Sequence, residues 1–333
     1  MKAWQIQHRG SLDGLMQVEL PDPVPAPDEV LVRIRAVALN FRDLIATRIE
    51  RPNNLTPLIP CSDGAGEVIA VGANVTAWKP GDRVIGCFFQ AWEAGRIRRE
   101  VMRSDLGGPL HGVLAEKVAL RDVVAMPSHM SFEQACTLPC AALTAWHALV
   151  EEGGVSADET VLLLGTGGVS IFALQFAKLH GARVIITSSS DTKLAKARAL
   201  GADETINYRE FPDWQVRVHE LTGRRGADHV VEVGGWGTLE KSFESVGYGG
   251  KVHLIGVLTG FEGKINPWQI IVKSLRVQGY YVGNREMFDS MNRTIEQHRF
   301  APVIDSIYEF GCARDAFALM ESRAHFGKIV IRV

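Results

Sequence analysis

The chain has 333 residues, a formal net charge of −2, 46% hydrophobic and 22% charged residues. At ~100–200 residues per domain this suggests two domains with ample cores, and it excludes an intrinsically disordered chain. There is no basic excess to neutralise phosphates, so nucleic acid is not the expected partner.

The 33 glycines exceed the usual ~7% share and point to many tight turns. Cys61, Cys87, Cys136, Cys140 and Cys312 are an odd, dispersed set without CxxC pairs. That is a poor disulfide framework and a poor structural zinc site. Met1-Lys2-Ala3-Trp4-Gln5 carries no apolar signal core. The greasiest stretch, residues 161–177, is interrupted by Gly165, Gly167 and Gly168 and falls short of the ~18–20 residues a span needs. A soluble, cytoplasmic protein with no membrane partner is expected.

The first 125 residues read as β-rich. Residues 30–37 alternate apolar and basic positions, the period of a half-buried strand. Pro21, Pro23, Pro25 and Pro27 force an extended approach to it. Residues 66–72 predict a second strand ended by glycine, Lys79-Pro80-Gly81-Asp82 a turn, and residues 83–86 a third strand. Residues 91–109 are charged, then glycine-rich, and predict a surface loop with Arg96, Arg98 and Arg99 in solvent.

From Ser131 the texture changes. Ser131 with Gln134 three residues on predicts a capping box. Thr160-Val161-Leu162-Leu163-Leu164 is the short apolar run of a parallel strand buried on both faces. Residues 169–180 have helical spacing, stopped by Gly181; residues 183–187 predict the next strand and residues 191–200 the next helix. Residues 229–233 and 251–255 predict two further strands. Alternating β and α with glycine at strand ends predicts an α/β fold with a doubly wound parallel sheet.

Gly165-Thr166-Gly167-Gly168-Val169-Ser170 lies directly after the buried strand and opens a helix. Gly165 permits the tight turn, Gly167 lets backbone approach a pyrophosphate, and the helix N-terminus offers N–H groups to phosphate. Ser170 replaces the third glycine and is small enough for close helix–strand packing. NAD sites place a carboxylate ~20 residues past the first glycine, to hold the ribose 2′-hydroxyl. This chain has Thr187-Ser188-Ser189-Ser190, with Lys193 shortly after. Serine donors and a lysine charge suit a 2′-phosphate, so NADPH is the expected cofactor. The serines also suit an N-cap, and the two readings are compatible.

These residues bring a resemblance into view. The chain resembles the medium-chain dehydrogenase/reductase superfamily, in its zinc-free, quinone-oxidoreductase-like branch. The likeness runs in order from the opening Met1-Lys2-Ala3, Asp28-Glu29-Val30-Leu31-Val32 and Leu39-Asn40-Phe41-Arg42-Asp43 through Gly64-Ala65-Gly66-Glu67-Val68 and Lys79-Pro80-Gly81-Asp82-Arg83-Val84. It continues with Leu138-Pro139-Cys140, Thr144-Ala145-Trp146, the glycine turn, Leu200-Gly201-Ala202-Asp203 and Ile206-Asn207-Tyr208, and closes with His325-Phe326-Gly327-Lys328-Ile329-Val330. The resemblance implies a GroES-like catalytic domain (residues 1–125, rejoined by 286–333) around a Rossmann domain (residues 126–285), with the active site in the cleft between them. It also implies an assembly through Rossmann-sheet edges, a dimer or a tetramer, with a homodimer expected. Residues 272–282 are the candidate edge, from β-pattern alone.

Zinc-dependent relatives hold the metal with Cys, His and a further Cys or Asp. Those positions fall here on Asn40, Ser62 and Cys140, and the region of the structural zinc lobe, residues 91–108, has no cysteine. No metal is therefore expected. Without a Lewis acid, the implied acceptors are activated ones, quinones or α,β-unsaturated carbonyls. The alternatives are a zinc-independent alcohol or carbonyl dehydrogenase and a non-catalytic NADPH-binding redox sensor.

By the resemblance, Asn40 is the first catalytic candidate, with a turn residue as its plain alternative. Asp43 is expected to hold its loop, Arg42 to lie at the surface, Cys140 to be core or a remnant ligand, and His147 to pack. Tyr280 and Tyr281 are candidates for donating to a substrate oxygen. The implied cofactor contacts are Thr144 near the nicotinamide, Gly165, Thr166, Gly167, Gly168 and Val169 at the pyrophosphate, Ser188, Ser189 and Lys193 at the 2′-phosphate, and Tyr208 flanking it. Gly234, Gly256 and Val257 follow later strands, and Val282, Gly283, Phe326 and Lys328 match the far wall. Pocket shape is expected to come from the loops at 91–109 and 258–267.

Overall fold

The computed structural model describes every residue except 51–53 and 261, so the 258–267 loop lies partly outside the described residues. The chain divides into two units, Met1–Leu143 with Val282–Val333, and Thr144–Tyr281.

The first unit begins with an antiparallel pair, β1 (Lys2–Ile6) and β2 (Leu15–Glu19). β3 (Val30–Ala38) follows the proline run and alternates as expected, burying Val30, Val32, Ile34 and Ala36. α1 (Phe41–Arg48) leaves it at once, with Asn40 as N-cap. β4 (Asp63–Val71), β5 (Arg83–Gly86), β6 (Lys117–Leu120) and β7 (Val123–Ala125) follow. α2 (Phe132–Ala135) starts with the expected box: Ser131 Oγ accepts from Gln134 N–H, and Gln134 Oε1 accepts from Ser131 N–H.

The 91–109 loop departs from expectation. Residues 93–100, including Arg96, Arg98 and Arg99, are exposed, but Trp92, Val101, Ser104, Asp105 and Leu106 are buried. Gln90 N–H donates to Ser104 O and Leu106 N–H to Phe88 O, which draws this half into the core.

The second unit alternates strand and helix. α3 (Leu143–Trp146) straddles the unit boundary between two π-helical turns, Leu138–Ala142 and His147–Glu151. Then come β8 (Thr160–Leu164), α4 (Gly168–Leu179), β9 (Arg183–Ser188), α5 (Asp191–Ala199) and β10 (Glu204–Asn207). α6 (Trp214–Leu221), β11 (Ala227–Glu232), α7 (Trp236–Ser245), β12 (Val246–Leu254), α8 (Trp268–Val272) and β13 (Arg276–Gly279) complete it. The strands are parallel in the order β10-β9-β8-β11-β12-β13. Counted from β8 this is 3-2-1-4-5-6, the dinucleotide-binding order, with its switch point between β8 and β11. All five residues of β8 are buried, as its apolar run predicts. The expected edge at 272–282 is narrower than read: β13 is the edge strand, Val272 ends α8, and Val282 belongs to the first unit.

The chain returns through α9 (Arg285–His298), β14 (Ile304–Glu309), α10 (Ala313–Ser322) and β15 (Lys328–Arg332). β15 pairs antiparallel with β3 and parallel with β14, giving the order β14-β15-β3-β4-β5-β7, with β6 also on β3. The tail is thus an interior strand of the first sheet. Residues 126–143 and 282–285 also belong to this unit, against the expected boundaries at 125 and 285. Their bonds explain why: Arg83 Nη2 donates to Met130 O at 2.6 Å, and Arg285 N–H to Trp92 O at 3.0 Å. No helix among the described residues is long and apolar enough to cross a membrane.

One face of the second sheet buries two histidines, His229 of β11 and His253 of β12. Burial, first of all, pushes His253 from 6.5 down to about 3, with nearby His229 and Lys251 acting the same way. Below pH 6.5 the unfolded chain therefore binds a proton that the folded one refuses. Stability is expected to fall as pH drops from about 6.5 towards 3, by about 2 kcal/mol from this group by pH 5. Urea unfolding at pH 7 and pH 5 checks this, and His253→Gln is expected to lose that share of the pH dependence.

Candidate nucleotide and redox site

The nucleotide elements assemble at the C-terminal end of the second sheet. Gly165 leaves β8 at φ +72°, a conformation that favours glycine. A Cβ on Gly165 or Gly167 would meet no atom within 4 Å, so both border open space, the room a pyrophosphate needs. Thr187 Oγ1 accepts the Gly165 N–H at 3.3 Å and ties the turn to β9. Ser170, in place of the third glycine, is buried and donates its hydroxyl to Leu164 O at 2.7 Å. The close helix–strand approach is therefore kept. Gly167 caps α4, whose first turn presents Gly168 and Val169 to the same space.

At the end of β9, Ser188 is buried while Ser189 and Lys193 are half-buried. Ser190 caps α5, its Oγ accepting from Lys193 N–H, so the N-cap reading holds for Ser190 and leaves Ser188 and Ser189 outside the cap bond. Tyr208 N–H donates to Ser188 O at 3.0 Å, which sets Tyr208 beside the serines with its side chain exposed. The residues present fit a nucleotide: open backbone at the turn, a helix N-terminus, and hydroxyl and ammonium groups in place of a carboxylate.

A group absent from the sequence expectations, Glu232, shapes the turn after β11. Glu232, with no exposed surface, accepts from Gly234 N–H (2.6 Å), Gly235 N–H (3.0 Å), Thr238 Oγ1 (2.7 Å) and Ser242 Oγ (2.5 Å). Burial raises its carboxyl against the pull of those donors. The signal was present: a Glu at a strand end, two glycines, then Thr and Ser four apart on a helix. A Cβ at Gly234 would lie 2.1 Å from Thr238 Oγ1, and one at Gly256 2.3 Å from Val233 O. These two glycines are required by close packing. Thr144 is buried on α3, and Val257 lies in the segment after β12.

The first unit holds a second polar group, gathered from three strands. β3 delivers Asn40, β4 opens with Asp63, and β15 opens with Lys328. Lys328 Nζ donates to Leu39 O at 2.7 Å and Asn40 Oδ1 at 2.6 Å, and stands 3.8 Å from Asp63 Oδ2. The Lys328 and Asp63 side chains are 2% and 0% exposed. Asp63 also accepts from Ser62 Oγ at 2.6 Å and from Cys140 N–H at 3.2 Å. Burial raises its carboxyl, and Lys328 is the strongest influence the other way.

Asn40 is therefore a pinned buried amide as well as a cap. Asp43 holds the loop as expected, its Oδ2 accepting Asn40 N–H at 2.8 Å, with burial pushing its carboxyl up to about 6. Arg42 does not lie at the surface. It is only 13% exposed, bonds Asp105 Oδ2 at 2.6 Å and Leu106 O at 2.5 Å, and covers the Phe88 ring, because the inner half of the 91–109 loop folds over it.

Lys328, expected on the wall of the cofactor site, spends its ammonium on this cluster. Phe326 is buried nearby in sequence, its N–H on Asp305 Oδ1. Val282 is buried at φ +61°, and a Cβ on Gly283 would press on Leu143 Cγ at 2.9 Å. A β-branched residue at positive φ is a strained outlier of the kind that clusters at functional positions. In the second unit, His147 packs as expected, edge-on to Tyr280. Tyr280 is buried and Tyr281 more exposed.

Zinc does not fit the three ligand positions. They offer a carboxamide, a hydroxyl and the thiol of Cys140, which burial holds far above its ordinary range. The Lys328 ammonium already supplies positive charge there.

Two families match. Residues 26–129 fit the alcohol dehydrogenase GroES-like domain, and residues 168–297 the family described as zinc-binding dehydrogenase. The chain is 40% identical to the zinc-type alcohol dehydrogenase-like protein C1773.06c of Schizosaccharomyces pombe, over 92% of this chain and 91% of that protein. It is 32% identical to the 2-methylene-furan-3-one reductase of Solanum lycopersicum, over 99% of this chain and 79% of that one. A crystal structure of a putative alcohol dehydrogenase from Sinorhizobium meliloti superposes with a TM-score of 0.93 at 41% identity, covering 100% of this chain and 98% of that chain. With a GroES-like unit, a 3-2-1-4-5-6 sheet and full-length relatives agreeing, the chain belongs to the medium-chain dehydrogenase/reductase superfamily of oxidoreductases.

Proposed function

We propose that the protein is a zinc-independent, NADPH-dependent reductase of activated acceptors, α,β-unsaturated carbonyls or quinones. The observation that carries this reading is the buried Lys328–Asn40–Asp63 cluster, which puts a fixed ammonium and a carboxamide where zinc-dependent relatives need metal ligands. Similarity to a 2-methylene-furan-3-one reductase supports the enone class. Bound NADPH supplies the hydride. The protein's own groups do the rest. The Gly165–Gly168 turn and the α4 N-terminus bind the pyrophosphate, and Ser188, Ser189 and Lys193 bind the 2′-phosphate. Asn40, held by Lys328, orients the reacting end, and position and electrostatics carry the rate. Enones and quinones suit such a site because their products' oxygen charge is delocalised and hydrogen bonds suffice to stabilise it.

A second copy of the chain is the proposed partner. The β13 edge exposes Val277, with Tyr281 just beyond it, beside exposed Trp268 and Ile271 of α8. An unpaired edge with apolar flanks is a template for strand pairing.

The test is an acceptor panel of enones, quinones, ketones and alcohols, run with NADPH and NADH on chelator-treated protein. Turnover of enones or quinones with NADPH preferred is the expected result. Activity only on alcohols, only after zinc addition, or only with NADH overturns the assignment. Lys193→Asp is expected to weaken NADPH at least about 10-fold while leaving NADH nearly unchanged.

A further inference from the structure

The sheet face that buries the two histidines carries a file of titratable groups, each within 3.2 Å of the next. It starts at Glu159, just before β8, with a side chain 26% exposed at the N-terminal end of the sheet. Glu159 Oε2 lies 3.2 Å from His229 Nε2. His229 Nδ1 lies 2.9 Å from His253 Nε2, with the imidazoles stacked at 10°. His253 Nδ1 lies 3.2 Å from Tyr280 Oη. Tyr280 follows directly on β13, so the file ends at the C-terminal end of the sheet, the end that also carries the glycine turn.

Strand register builds this path. His253 pairs with Val231, two residues beyond His229, so successive parallel strands advance the polar groups towards one end. Strands buried on both faces normally carry apolar side chains, and burying two imidazoles costs desolvation that Leu or Val would avoid. A dinucleotide laid across the switch point with its adenosine at β9 has its nicotinamide half over the ends of β11 to β13.

We propose that Glu159, His229, His253 and Tyr280 form a proton conduit from solvent to the nicotinamide half of the nucleotide site. It deepens the hydride-transfer reading above and rests on it. One proton moves per reduction. The Tyr280 O–H bond breaks towards the acceptor's oxygen, and re-forms as the His253 Nδ1–H bond breaks. The His253 Nε2–H bond then forms as His229 Nδ1–H breaks. Against desolvation, His229 and the Ser156 N–H hold the Glu159 carboxyl below its ordinary range, so Glu159 is a carboxylate, and a solvent hydronium held at it loses an O–H bond as the His229 Nε2–H bond forms. The electrons travel with the hydride and none pass along the file.

Both imidazoles have lowered pKa values, chiefly from burial, which keeps them neutral near pH 7. A neutral ring can accept at one nitrogen while releasing at the other, as a tautomer relay requires. The other charged or titratable groups acting on the file are Lys251 and Asp228 near His229, and His147 and Glu152 towards Tyr280. Burial lifts Tyr280 to about 12, so it stays a protonated donor.

The test compares wild type with His253→Gln and Glu159→Gln, using the best acceptor of the panel. NADPH affinity, kcat and the solvent deuterium isotope effect are followed across pH 5–9. Expected is a fall in kcat of at least about 10-fold in His253→Gln, with NADPH affinity within about twofold and a changed isotope effect. Glu159→Gln, at the partly exposed end, is expected to lower kcat without loss of fold, and it decides the matter if His253→Gln does not fold. Nitrogen NMR of the protein without nucleotide gives an independent readout: Glu159→Gln and Tyr280→Phe should both shift the His253 ring nitrogens. Wild-type kcat in both glutamine variants overturns the conduit. So do nucleotide affinity lost in step with kcat, and His253 resonances blind to Glu159 and Tyr280. A wild type that reduces nothing while its histidine resonances stay coupled sinks the hydride-transfer reading instead.

Discussion

Lys328→Met is expected to lower the unfolding free energy by about 3–5 kcal/mol, the usual cost of removing one partner of a buried pair. Methionine keeps much of the length and apolar volume, so the loss is of charge and donors. Asp63, with no exposed surface, would lose the Lys328 ammonium and keep uncharged donors such as Ser62 Oγ and Cys140 N–H, and Leu39 O and Asn40 Oδ1 would lose their Lys328 donor. The sign of the pH dependence is a second check. Without Lys328 the Asp63 carboxyl rises further, so the folded state binds a proton more readily than the unfolded one. The deficit should therefore shrink as pH falls towards the carboxylate range. Adding Asp63→Asn should recover part of the loss, because the uncompensated charge is gone. Urea unfolding at several pH values measures all three, and a Lys328→Met loss below about 1 kcal/mol would show the pair to be energetically idle.

Gly167→Val is expected to reduce NADPH affinity at least about 100-fold, or about 2.7 kcal/mol, while moving the unfolding free energy by less than about 1 kcal/mol. Its φ of −79° suits any residue, and the added Cβ meets nothing within 4 Å. The new side chain fills only the space a pyrophosphate would take. Gly165→Val should hurt both properties, because φ +72° strains a β-branched residue wherever there is room. Nucleotide fluorescence titration paired with unfolding separates the two. Equal affinity in Gly167→Val would remove the pyrophosphate from this turn.

What could be read from the chain alone was whatever depends on neighbours a few residues apart. The glycine turn, the buried run of β8, the Ser131–Gln134 box and the serines after β9 each carry their physics within one short segment. Their order then implied a parallel sheet, since βα alternation leaves few other packings. The tertiary structure alone decided the contacts between distant segments. Asn40 and Lys328 are 288 residues apart and meet because the C-terminal strand pairs with β3. Arg42 looked like a surface charge until Asp105, 63 residues on, covered it. His229 and His253 looked like unrelated strand residues, because nothing within either strand states which strands are adjacent or in what register. Local conformational preference acts over one or two turns of chain, whereas buried charge is stabilised by whichever groups the completed fold brings within a few ångströms.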